Sequence, residues 1–160
     1  MKKELLCASV VFALLALPGL SQAKSREDEI QRGRYLVKTI GCNDCHTPFF
    51  GMKNGDVPEK DWLIGDQVGW KGPWGTTYPT NLRERVQGMS EAEFVQYAKK
   101  LKTRPPMPWY ALNAMTKEDL RAMYRFVKSL GPSTNKVPAG LLPGEVPRGP
   151  YMDMTVVMPK

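Results

Sequence analysis

Cys42-Asn43-Asp44-Cys45-His46 is the stretch on which the reading of this 160-residue chain turns. Two thiols stand three residues apart and an imidazole follows at once. The pattern C-x-x-C-H marks the attachment of a c-type haem. Each thiol adds to one vinyl group of the porphyrin, and the next residue is held under the iron as its nitrogen ligand. Three other chemistries use part of this pattern. A thioredoxin-like dithiol sits in a strand-turn-helix unit, and no βαβ pattern surrounds residues 42–46. A zinc site needs further ligands. His46 is the only histidine of the chain, and Cys7 is the only other cysteine. A plain disulfide accounts for the cysteines and leaves the histidine unexplained. The motif occurs once, so one haem c is expected, bound covalently by Cys42 and Cys45 with His46 on the iron. A two-haem peroxidase or a multihaem wire is not expected from one motif.

The sixth ligand has to be something other than histidine, and the thioether of methionine is the natural donor. Met52 lies too close to His46 in sequence to round a porphyrin. Met123 falls on the apolar stripe of a helix, where packing is its ordinary role. Met115 comes just before that helix. Met107 sits in Arg104-Pro105-Pro106-Met107-Pro108-Trp109, where three prolines fix the backbone dihedrals. A stiff, extended loop holds a thioether against iron at low entropic cost, so Met107 is the expected axial partner of His46.

The chain starts with Lys2 and Lys3, followed by an uncharged run from Leu5 to Leu20 and then Ser21-Gln22-Ala23. That is the three-part pattern of a secretory leader. The run is shorter than the ~20 apolar residues of a spanning helix. Residues 1–23 are therefore expected to be a cleaved signal peptide, leaving a periplasmic chain without a transmembrane segment. Cys7 stands at the start of the run and not at its end, which argues against a lipoprotein leader. Cleavage removes two lysines and one glutamate, so the net charge of +7 falls to +6. A basic surface suits an acidic protein, an anionic membrane or nucleic acid, and export removes the last of these.

Beyond the leader the pattern is helical. Ser25 is a good N-cap, with Glu27, Asp28 and Glu29 in the first turn. Ile30, Gly33, Val37 and Ile40 then recur at helical spacing, which predicts a helix over 26–40. Gly33 implies close approach of another helix. Ser90-Glu91-Ala92-Glu93 is a capping box, and it opens a helix bearing Phe94, Tyr97, Ala98 and Leu101 on one face. Thr116 caps a third helix with Leu120, Met123, Tyr124 and Val127 on its stripe, ended by Gly131-Pro132. The stretch from Thr47 to Leu82 shows no sustained period and reads as loop, with Trp62, Trp70, Trp74 and Tyr78 available to wrap a flat ligand or reach its carboxylates. Residues 132–160 contain six prolines yet also Leu141, Leu142, Tyr151, Val156 and Val157. They read as an extended strap packed on the domain. The expected class is all-α: three main helices and long loops around one haem in residues 24–131, then the extension at 132–160.

The order of helix, C-x-x-C-H, aromatic loop, helix, Pro-Met-Pro and capped last helix resembles class I cytochromes c. Gly33 resembles the glycine that in that family touches the C-terminal helix, with Met123 and Phe126 as its expected partners. Gly33-Arg34-Tyr35-Leu36, His46-Thr47, Gly75-Thr76-Thr77-Tyr78-Pro79-Thr80-Asn81-Leu82 and Ser90-Glu91-Ala92-Glu93-Phe94 give a narrower resemblance. They are similar to one haem module of the cytochrome c subunits of bacterial periplasmic alcohol, aldehyde or gluconate dehydrogenases. The resemblance implies single-electron transfer between redox proteins, such as a periplasmic dehydrogenase or a terminal oxidase, and no enzymatic turnover of its own. Gas binding needs an open sixth site, and peroxidase chemistry needs an acid-base group that a chain with one histidine lacks. Lys99, Lys100, Lys102 and Arg104, just before Met107, are the expected docking charges for a partner.

Overall fold

The structure is a computed structural model and describes residues 25–159. The expected leader lies outside the described residues. Three long helices form the frame: α1 (Arg26–Thr39), α4 (Glu91–Lys100) and α6 (Lys117–Ser129). Each starts at the cap the sequence offers. Ser25 and Asp28 form a reciprocal capping box, as do Ser90 and Glu93, and Thr116 accepts from the Asp119 amide. The shorter helices are α2 (Cys42–His46), α3 (Leu82–Gln87) and α5 (Trp109–Ala114).

α1 crosses α6 at Gly33. A Cβ there would lie 2.6 Å from the Ala122 carbonyl carbon and 2.7 Å from the Phe126 Cβ. The close approach expected at Gly33 is therefore met, with Ala122 standing where Met123 was expected. Phe126 and Leu120 are completely buried beneath this crossing, with Val37, Val86 and Ala98 beside them. Arg125 pairs with Glu29 and Glu91, so one guanidinium ties α6 to both α1 and α4.

The all-α expectation holds only coarsely, because a three-stranded sheet is present. β1 (Gly69–Gly72) pairs antiparallel with β2 (Gly75–Thr77) and parallel with β3 (Tyr151–Asp153). The hairpin lies within the stretch that reads as loop, and β3 lies within the Pro-rich extension. The extension is hydrogen-bonded along much of its length. Asn135 donates to the Ile64 carbonyl, Leu141 exchanges both backbone hydrogen bonds with Thr76, and β3 adds to β1. Its side chains from Tyr151 onward remain exposed.

Arg83 joins the segment at Lys60 to the end of α6. Its guanidinium donates to the carbonyls of Lys60 at 2.7 Å, Gly131 at 2.8 Å and Pro132 at 3.0 Å, and also to Leu130. The last carbonyls of a helix have no intrahelical partner, and here a residue 47 positions earlier supplies one. Burial lowers the Arg83 pKa, while Asp61 opposes that effect. Arg83→Leu removes these charge-assisted bonds and is expected to destabilise the fold by about 3 kcal/mol. Chemical denaturation checks this, and Arg83→Lys should recover little because one ammonium cannot span the fork.

Candidate functional site

The motif forms the single-turn helix α2. Gly41 enters it at φ +78°, a left-handed conformation that turns the chain sharply out of α1. One helical turn then carries Cys42, Cys45 and His46. Both thiols are free and half-buried. Burial, with Asp44 adding to it, pushes the Cys42 thiol up to about 12. Burial, then Asp44 and Asp66, raises Cys45 as well. Both therefore stay protonated at neutral pH in the folded chain.

His46 is buried, and its Nδ1 lies 2.7 Å from the Thr80 carbonyl. A carbonyl only accepts, so Nδ1 carries the proton and Nε2 keeps its lone pair. Burial holds the imidazole pKa below its usual value, against the opposing effect of that hydrogen bond. The ring is thus a neutral, oriented donor.

Cys42, Cys45, His46 and Met107 line one cavity. Its walls are mainly apolar and come from α1 (Val37), α3 (Leu82, Val86), α4 (Phe94, Ala98) and α6 (Val127). Met107 lies between Pro106 and Pro108, which line the same cavity. Met123 also faces it but is buried in the core on α6, while Met115 packs on the core away from it. Met52 is 83 % exposed. The donor set fits a covalently held porphyrin: two free thiols on one helical turn, a nitrogen with a fixed lone pair, a thioether and apolar walls. It does not fit a structural zinc site, because no group of three or more His, Cys, Asp or Glu side chains converges among the described residues.

The aromatic loop divides. Trp70 and Tyr78 line the cavity. Trp62 does not, since its indole donates to the Val57 carbonyl and its ring packs on Phe50 and Phe126. Trp74 packs against Gly72, and its indole N–H has no partner among the described residues.

Two of the four cations of the expected docking cluster are engaged within the fold. Lys99 donates to the Asn113 and Met115 carbonyls, and Arg104 donates to those of Trp74 and Leu141. Both cations are structural ties, and Arg104 also lines the cavity. Lys100 and Lys102 remain exposed. Sequence reasoning also missed the Thr80 carbonyl. The Thr80-Asn81 pair was visible as a motif, but a backbone acceptor has no residue signature of its own.

The C-x-x-C-H helix, the buried oriented histidine and the apolar cleft have the features expected of a c-type cytochrome module, and the comparisons with known proteins point the same way. The chain resembles the cytochrome subunits of alcohol and fructose dehydrogenases. It is 26 % identical over 130 residues to the cytochrome c subunits of alcohol dehydrogenase (quinone) from Gluconacetobacter polyoxogenes and Komagataeibacter europaeus, a match covering 74 % of this chain and 26 % of each relative. It is 28 % identical over 115 residues to the fructose dehydrogenase cytochrome subunit of Gluconobacter japonicus, covering 66 % of this chain and 22 % of that protein. The chain thus spans about a quarter of the length of the curated relatives it matches. No protein-family model and no solved structure matches it. No helix among the described residues is long and apolar enough to cross a membrane.

Proposed function

We propose that the chain is a periplasmic carrier of single electrons with one haem c, attached through Cys42 and Cys45, its iron held between His46 and Met107. In this reading residues 24–131 form a cytochrome c fold, residues 1–23 are a cleaved signal peptide, and residues 132–160 are an extension. The observation that carries it is the lining of one apolar cavity by all four side chains. Haem held there supplies an Fe(III)/Fe(II) couple, whose potential a thioether ligand raises. The chain's own groups do the rest. The Thr80 carbonyl fixes the His46 tautomer and increases the basicity of the ring. The prolines flanking Met107 limit its backbone freedom. The apolar walls keep water from the reacting centre. The partner is a redox protein, either a dehydrogenase subunit of the kind the relatives' names describe or a terminal oxidase.

Met107→Ala is expected to open the sixth position. The near-infrared charge-transfer band of methionine-ligated ferric haem disappears, the potential falls, and carbon monoxide binds the reduced protein. Met115→Ala leaves all three unchanged. The reverse pattern would reassign the ligand.

Two of the four docking charges remain for the partner. With the Debye length shrinking from ~30 Å at 0.01 M salt to ~10 Å at 0.1 M, electron transfer steered by Lys100 and Lys102 slows as salt rises. The Lys100→Glu, Lys102→Glu variant is slower at low salt and has a flatter salt dependence. Stopped-flow kinetics with the native partner read both effects, and rates indifferent to both would leave the two lysines as solvated surface.

A further inference from the structure

We propose that the C-terminal strap acts on His46 through Asn81, which makes Asn81 a positioning residue for the iron's nitrogen ligand; this rests on the haem reading above. Asn81 is 3 % exposed. Its Oδ1 accepts from the Glu84 amide at 3.0 Å and so caps α3. Its Nδ2 gives one proton to the Ser133 carbonyl at 3.2 Å and the other to the Asn135 carbonyl at 2.9 Å. A cap needs only the oxygen, so the amide nitrogen serves the strap alone.

The strap reaches the histidine from a second side. Asn135 Nδ2 donates to the Ile64 carbonyl at 2.8 Å, and the next residue, Gly65, donates its amide to the His46 carbonyl at 2.8 Å. Gly65 has φ +79°, and a Cβ there would fall 2.5 Å from Val137 Cγ2, 2.7 Å from the Asn81 nitrogen and 2.8 Å from the Pro79 oxygen. Three segments, 64–65, 79–81 and 133–137, therefore meet beside His46, the strap reaching 64–65 through the side chains of Asn135 and Val137.

The consequence follows from one peptide plane. The Thr80 carbonyl and the Asn81 nitrogen belong to the same rigid unit. A side chain that anchors Asn81 to the strap thereby fixes the direction of the carbonyl facing His46 Nδ1. The strength of that hydrogen bond sets how much electron density the ring gives to a metal, and a more basic ring favours the oxidised state. Loosening the tie weakens the bond and favours the reduced state.

The test compares Asn81→Ser with Asn135→Ala in the full-length haem protein. Serine keeps an oxygen suited to the cap and lacks the two amide donors. Asn135→Ala leaves Asn81 intact and cuts the strap's bond to Ile64. Both variants are expected to hold full covalent haem by the pyridine haemochrome assay. Both should show an upward shift of the midpoint potential and exchange of the His46 Nδ1 proton faster by about tenfold, read by NMR of the reduced protein. An unchanged potential and exchange rate, with only a lower melting temperature, would make the strap a stabiliser and overturn the proposal. If Asn81→Ser fails to fold, Asn81→Thr, which keeps a capping oxygen, fills more of the site and also lacks the amide donors, takes its place. Wild-type protein without covalent haem would instead defeat the underlying reading.

Discussion

The Cys42→Ala, Cys45→Ala variant is expected to accumulate as an unfolded, protease-sensitive chain without haem. The reason lies in the cavity walls. Ile40 is 44 % exposed, and Leu82, Leu101, Leu112 and Met107 are only half-buried, although all five line the cleft. Their burial is completed by an occupant. At ~1–2 kcal/mol for the unburied part of each side chain, the five together forgo on the order of 5–10 kcal/mol. That is comparable to the whole 5–15 kcal/mol by which a native domain is stable. A ligand that binds only the folded state contributes its binding free energy to folding, and covalent attachment keeps it at the site. Far-UV circular dichroism and limited proteolysis of the double variant measure the effect. A compact, protease-resistant chain would show that the helices hold the cleft without its occupant.

Gly33→Ala is the second large effect. In an isolated helix this change is favourable by ~1 kcal/mol. At the α1–α6 crossing the new Cβ meets the Ala122 carbonyl carbon at 2.6 Å and Phe126 Cβ at 2.7 Å, and lies closer still to the Ala122 oxygen. Two of those three atoms are backbone, so no rotamer change relieves them, and the helices must separate. Overpacking of this kind costs ~1–3 kcal/mol or more, and the packing lost around the fully buried Phe126 and Leu120 adds to it. The clash outweighs the propensity gain. The melting temperature is expected to fall by roughly 10 °C. A neutral or raised melting temperature would mean that α1 and α6 do not meet at Gly33.

The parts legible in sequence were those whose signal is local. α1, α4 and α6 carry caps at their first residues and apolar stripes, so their starts and most of their buried faces followed directly, although Ile40 proves exposed and Leu36 and Val95 are buried outside the expected stripes. α3 and α5 are six residues each and show no sustained period. They form where Asn81 caps the chain and where Pro108 ends the proline loop. The hairpin Gly69–Thr77 has two glycines in its first strand and no alternating face, so loop was the natural reading. β3 pairs with residues some 80 positions earlier, and no window of sequence contains that pairing. The same divide runs through the site. C-x-x-C-H and Pro-Met-Pro are contiguous, and they pointed to the residues that line the cavity. The Thr80 acceptor and the carbonyl partners of Lys99, Arg83 and Arg104 are backbone groups brought in from distant segments. A run of basic residues read as a docking patch because sequence gives charge and not what the charge touches.

The most direct test of the account is the intact mass of the protein after acidic organic extraction, which strips haem that is not covalently bound, followed by mass mapping of its proteolytic peptides. One haem retained per chain, on the peptide that contains Cys42 and Cys45, is the predicted result. A chain at its bare polypeptide mass, or one lighter by the two hydrogens of a Cys42–Cys45 disulfide, would contradict it.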